Sequence, residues 1–212
     1  MNQQKIETIV EQAAKVNWKS IKDRNGFIEY DISNLLRNLI SSDKEKREKS
    51  YWGLDNNIVI QSGLSESCLF ILPFLNELVK IAENKDRLLD LIFEIINGSD
   101  LLLNGFVKVQ CKEIKEPFMH YQLSKDIEPI QLKPLITKFI EQNTNLYCEL
   151  LSTKNKKELE TILYILLCFS PSEYVRKSFY EAKNNQIEDS LIVIFNGFIE
   201  DIEEIHGVEA DD

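Results

Sequence analysis

The chain of 212 residues has little that lets a backbone turn sharply: 7 Gly and 5 Pro. A β-sandwich of this length needs many more turn residues, so the shortage excludes one and favours long helices. Cysteine is sparse too. Cys68, Cys111, Cys148 and Cys168 include no pair at Cys-x-x-Cys spacing. Each lies in an apolar, helix-like stretch, which fits buried thiols in a reducing compartment. The two histidines, His120 and His206, have no Cys or His at metal-ligand spacing. His206 stands where a helix C-terminus is expected, and a cation there favours the dipole. A nucleophile elbow, a phosphate-binding loop, a dinucleotide fingerprint and a His-Glu-x-x-His pair are all missing. The expectation is no catalytic residue, no metal, no cofactor and no enzyme activity. No apolar run approaches the ~18 residues of a membrane span. The start, MNQQKIETIVEQ, lacks the charged-then-apolar order of a leader. A cytoplasmic chain away from membranes is expected.

What the sequence does have is acid. Asp and Glu number 35 against 25 Lys and Arg, giving a net charge of −10 and a pI near 4.9. Such a surface repels phosphate backbones, whose recognition rests on cationic contacts, so no nucleic acid is expected as partner. It steers toward basic proteins, or serves solubility alone. The 43% hydrophobic content is that of a globular chain with a real core.

Apolar spacing predicts a helix over 3–15, with Ile6, Ile9, Val10 and Ala13 on one face. A second is predicted over 28–41 and a third over 43–56, with Ser42 as cap and Glu45 completing a capping box. Residues 57–64 read as an irregular connection. Ser65 is expected to cap a helix reaching about 82, kinked by Pro73. Asn84 is expected to cap the next, which is apolar nearly all round and ends at Asn97-Gly98. Residues 99–126 allow either two short helices or a strand; helix is favoured by the helical surroundings. Further helices are predicted at 131–142, 144–152, 155–169, 171–184 and 187–205. Ser170, Pro171 and Glu173 mark one of these starts. Residues 1–205 thus read as a single domain of about ten antiparallel helices, and 206–212 as a flexible acidic tail.

Two places resemble the HEAT repeat, which carries an Asp or Pro turn, then Val-Arg and a small residue. Pro171, Val175 and Arg176 fit, with Phe179 at the small-residue site. Asp43, Arg47 and Ser50 fit, with Lys46 in place of the valine. Residues 51–79 also resemble a segment of bacterial HEAT-like proteins through Trp52, Gln61, Gly63, Pro73, Phe74, Leu75 and Leu78. Those relatives often carry His where this chain has Ile60. The resemblance implies an all-α superhelix (a HEAT-like solenoid) and an interaction role.

The expected partner-binding residues follow from that role. Trp52 is either core or a contact residue. Asp55 and Gln61 lie beside it along the chain, near a connection of the kind that presents contacts. Glu200, Asp201, Glu203 and Glu204 belong to a stretch, 199–212, with seven acidic residues and no Lys or Arg. They form either a solvated face or a surface for a basic protein. Lys154, Lys156 and Lys157 read as a turn before a helix. Small size, acidity and the missing motifs suit an immunity protein or antitoxin that masks a basic toxin. A generic scaffold suits them equally. A HEAT-like enzyme of DNA repair or lyase type fits worst, for want of a basic groove.

Overall fold

The computed structural model describes residues 3–23, 25–60, 63–98, 106–111, 121–168, 173–186 and 188–206. The fold is all-α, with ten α-helices and only short strands among the described residues. Two compact units divide the chain, Met1–Phe139 and Ile140–Asp212, and the boundary falls within helix α6 (Leu132–Gln142).

In the first unit, α1 (Gln3–Ala14) buries Ile6, Ile9, Val10 and Ala13, the four residues whose spacing predicts it. It packs on α2 (Ile32–Leu39) and α4 (Ser67–Ile81). Helix α3 (Lys44–Ile58) joins α2 to α5 (Asp86–Asn97), which also packs on α4. Helix α4 has only Glu77 and Lys80 as charged residues and is buried on most sides, through Leu69, Leu72, Phe74, Leu75, Leu78 and Val79. Pro73 stands inside it and is buried. From Asp86 to Ile96, α5 has no fully exposed residue, as its apolar circumference predicts.

Several boundaries differ from expectation, for local reasons. Asp43, not Ser42, caps α3, its carboxylate accepting from the amides of Glu45 and Lys46. Helix α2 begins after Asp31, whose side chain accepts from the Asn34 amide. Helix α4 follows Glu66 without a side-chain cap, while Ser65 Oγ donates to the Ile58 carbonyl at 3.0 Å. Lys85 rather than Asn84 precedes α5.

The connection after α3 is ordered as a small ladder: β3 (Val59–Ile60) pairs antiparallel with β4 (Gly63–Leu64). An earlier ladder pairs β1 (Lys22–Asp23) with β2 (Gly26–Phe27), the turn using Gly26 at φ +122°. Within 99–126 the described residues include three short strands and no helix, which corrects the helical expectation there. β5 (Phe106–Val107) pairs with β8 (Ile130–Gln131), and β6 (Val109–Cys111) with β7 (Tyr121–Leu123). Val107 and Val109 are buried while Lys108 and Gln110 are exposed, the period of two that a strand imposes.

The second unit contains α7 (Thr144–Leu150), α8 (Lys156–Leu167), α9 (Glu173–Asn184) and α10 (Asp189–His206). Helix α7 packs on α8 and α9, and α10 packs on the same two. Tyr147, Leu163, Phe179, Leu191 and Phe195 form its core. Asn155 caps α8 through bonds from the amides of Lys157 and Glu158. Ser170 and Pro171, expected to open α9, lie outside the described residues, as do the tail residues 207–212.

Candidate functional site

Helices α3 and α5 bring together Arg87, the rings of Tyr51 and Trp52, and the carboxylates of Glu48, Asp55, Asp90 and Glu94. Tyr51 is buried, and Trp52 beside it is 51% exposed. Their rings meet edge to face, with centroids 5.0 Å apart. Arg87, from α5, lies over Tyr51 with its guanidinium carbon 4.7 Å from the ring centroid. Its Nε donates to Glu48 Oε1 at 2.9 Å, its Nη2 to Glu48 Oε2, and its Nη1 to Asp90 Oδ2 at 2.9 Å. The bonds to Glu48 hold the guanidinium above its ordinary range.

Two further carboxylates lie nearby without a cation. Burial pushes the Asp55 carboxyl up. Burial does the same to Glu94, and the charges of Asp55 and Asp90 raise it further. Neither Asp55 nor Glu94 has an ion pair among the described residues. The Tyr51 hydroxyl is held up by burial, and then by Asp55, Glu94 and Asp90 together. Arg87 is already shared between Glu48 and Asp90, and among the described residues no cation pairs with the half-buried Asp55 or Glu94.

Of the expected contact residues, Trp52 and Asp55 thus belong to this α3–α5 surface. Gln61 lies outside the described residues. In the second unit, Glu200 is exposed on α10, while Asp201, Glu203 and Glu204 lie on the same helix with side chains outside the described set. Sequence reading missed Glu48, Tyr51, Arg87, Asp90 and Glu94. The signal was available in α5, where Arg87, Asp90 and Glu94 interrupt an apolar helix at i, i+3 and i+7, the spacing of one face.

The acidity is unevenly divided. Residues 1–139 hold 19 Lys and Arg against 20 Asp and Glu, whereas residues 140–212 hold 6 against 15. The second unit also exposes Tyr164, Tyr174, Tyr180 and Val193. Lys154, Lys156 and Lys157 surround the α8 cap and are exposed, Lys156 lying 3.9 Å from Glu160.

Elsewhere the chemistry is quiet. Cys68 is buried and donates to the Ile58 carbonyl at 3.3 Å. Burial pushes the Cys148 thiol up, against a smaller opposing bond from Ser178. The described residues include no group of three or more His, Cys, Asp or Glu placed to hold a metal. They include no helix long and apolar enough to cross a membrane. An open groove near the end of α1 is lined by Trp18, Lys19, Tyr30 and Asp31. Comparison with family models, curated proteins and solved structures finds no match.

Proposed function

We propose that this chain is a non-catalytic helical-repeat protein that binds a basic protein in the cytoplasm. The observation that supports it most is the α3–α5 surface. An exposed Trp52 lies one turn before Asp55 on α3, and Asp55 and Glu94 are half-buried carboxylates with no ion pair among the described residues. A partner's arginine or lysine completes such a surface. It stacks on the indole face and supplies the charge that Asp55 and Glu94 lack. Exposed tryptophans that become buried on binding dominate the energetics of many interfaces. The excess of acid in residues 140–212 adds long-range steering of a basic protein.

In its narrower form the proposal is an immunity protein or antitoxin that covers a basic toxin, built as a HEAT-like superhelix. Its small size, its charge and the lack of a recognisable catalytic motif support this form. A generic scaffold or adaptor uses the same surface on a partner that is not toxic.

Co-expression with the protein encoded beside it, followed by co-purification at moderate salt, tests the proposal. A salt-sensitive complex lost with Trp52→Ala and with the pair Asp55→Asn and Glu94→Gln is the expected result. A complex that survives all three substitutions, or no complex at all, removes this surface from the account. Silencing of a toxic neighbour separates the immunity form from the scaffold.

A further inference from the structure

Helix α10 exposes a stripe along one face. Val193, Asn196, Gly197 and Glu200 are exposed and recur at the i, i+3, i+4 and i+7 spacing of one helical face. The other side of the helix supplies core through Leu191, Phe195 and Phe198. Val193, at 67%, is the most exposed of the large apolar side chains among the described residues. Tyr164, on α8, borders the helix, its ring edge-on to Phe198 at 4.8 Å and half exposed.

Gly197 is the feature that the unit itself does not explain. Glycine inside a helix weakens it by about 0.5–1 kcal/mol relative to alanine. A fold keeps one where a Cβ would collide, as at Gly98, whose Cβ would come within 2.3 Å of Leu64 Cδ2. At Gly197 a Cβ would meet nothing within 4 Å, and the backbone there is not left-handed. A second helix explains the missing side chain, because the distance between packed helices is set by the side chains at their contact. Charge selects that helix. Glu200 is exposed within the stripe, and residues 140–212 hold 6 Lys and Arg against 15 Asp and Glu. Two copies of so acidic a segment repel one another, whereas a cationic partner is attracted.

We infer that the outer stripe of α10, centred on Gly197 between Val193 and Glu200, docks a helix of a basic protein. The partner backbone runs close over Gly197, its apolar residues cover Val193 and Tyr164, and its Lys and Arg side chains reach Glu200. This rests on the reading that the chain binds a basic protein, and it adds where and in what form.

The test uses a synthetic amphipathic helix with alanine and leucine on one face and lysine and arginine on the other. Binding is followed by fluorescence anisotropy of the labelled peptide against the full chain. The wild type is expected to bind, and Gly197→Trp to lose about tenfold or more in affinity, which is about 1.4 kcal/mol. Gly197→Ala is expected to raise Tm and weaken binding less. Should Gly197→Trp fail to fold by circular dichroism, Gly197→Gln takes its place. Equal affinity in the wild type and the bulky variant, or no peptide binding by the wild type, overturns the stripe. So does a dimer in light scattering that the bulky variant disperses, which assigns the stripe to a second copy. If the co-purified complex persists while the stripe fails, the basic-protein reading stands without it. If no complex forms, both fall.

Discussion

Arg87 covers the ring of Tyr51 from 4.7 Å while its guanidinium forks onto Glu48, so one side chain ties α5 to α3 through an aromatic face and a carboxylate. Replacing it by methionine keeps the stem but removes the charged hydrogen bonds to Glu48 and Asp90. The expected loss is about 1–3 kcal/mol by urea unfolding, the range for hydrogen bonds to charged groups in a partly buried place. A double-mutant cycle with Glu48→Gln should show clear coupling. Coupling near zero assigns the loss to Tyr51 and Asp90 instead.

Asp55 and Glu94 are expected to oppose stability at neutral pH. Their folded carboxyls bind protons more readily than the same groups in the unfolded chain. The contribution to stability therefore rises as pH falls through the raised folded values toward ordinary carboxylate titration, and the penalty is complete above them. Asp55→Asn and Glu94→Gln should each raise Tm at pH 7. That gain should shrink on acidification, and a gain constant with pH rules out this cause.

Two glycines should respond oppositely to the same change. Gly98→Ala puts a Cβ against buried Leu64 and should destabilise by about 1–3 kcal/mol, as overpacking does. Gly197→Ala adds a methyl to open space on a helix and should stabilise by about 0.5–1 kcal/mol. Thermal melts of both variants read the difference directly.

Lys133 closes α5 from α6, its ammonium donating to the carbonyls of Ile96 and Gly98, the latter at 2.8 Å. A cation at a helix C-terminus satisfies orphan carbonyls and matches the dipole. Lys133→Met should cost about 1–2 kcal/mol, from a charged hydrogen bond removed in a half-buried place. Hydrogen exchange of the last turn of α5 is expected to quicken with it.

Trp52→Ala should separate binding from folding. The exposed indole contributes mainly its edge contact with Tyr51, about 0.5–1.5 kcal/mol of stability. Partner affinity should fall by about 2 kcal/mol or more if Trp52 anchors the interface. Calorimetry on the purified complex decides it, and unchanged affinity removes Trp52 from the contact.

Helices of the first unit were legible because their apolar residues recur at helical spacing, as Ile6, Ile9, Val10 and Ala13 do. Exact starts were less so, because Ser42 and Asp43 both cap well and only the fold shows which amides Asp43 meets. The strands within 106–111, at 121–123 and at 130–131 were obscured by helical neighbours on both sides, although Val107 and Val109 alternate with Lys108 and Gln110. Their pairing joins residues far apart in sequence, Phe106 with Gln131, and no local pattern announces that. Trp52 and Asp55 were found from one helix, but Glu94 and Arg87 come from another. Their meeting depends on α3 and α5 packing together, which spacing along the chain does not reveal.

The placement of the two tryptophans gives the first unit a pair of optical reporters. Trp18 is buried, its Nε1 donating to the Ala13 carbonyl at 2.8 Å and its ring 6.3 Å from Phe74, whereas Trp52 stands at the surface. The chain has no others. Iodide should therefore quench the red-shifted emission of Trp52 and spare the blue component of Trp18. A partner covering α3 then shields one signal while unfolding shifts the other, so docking and denaturation can be followed in one unlabelled sample.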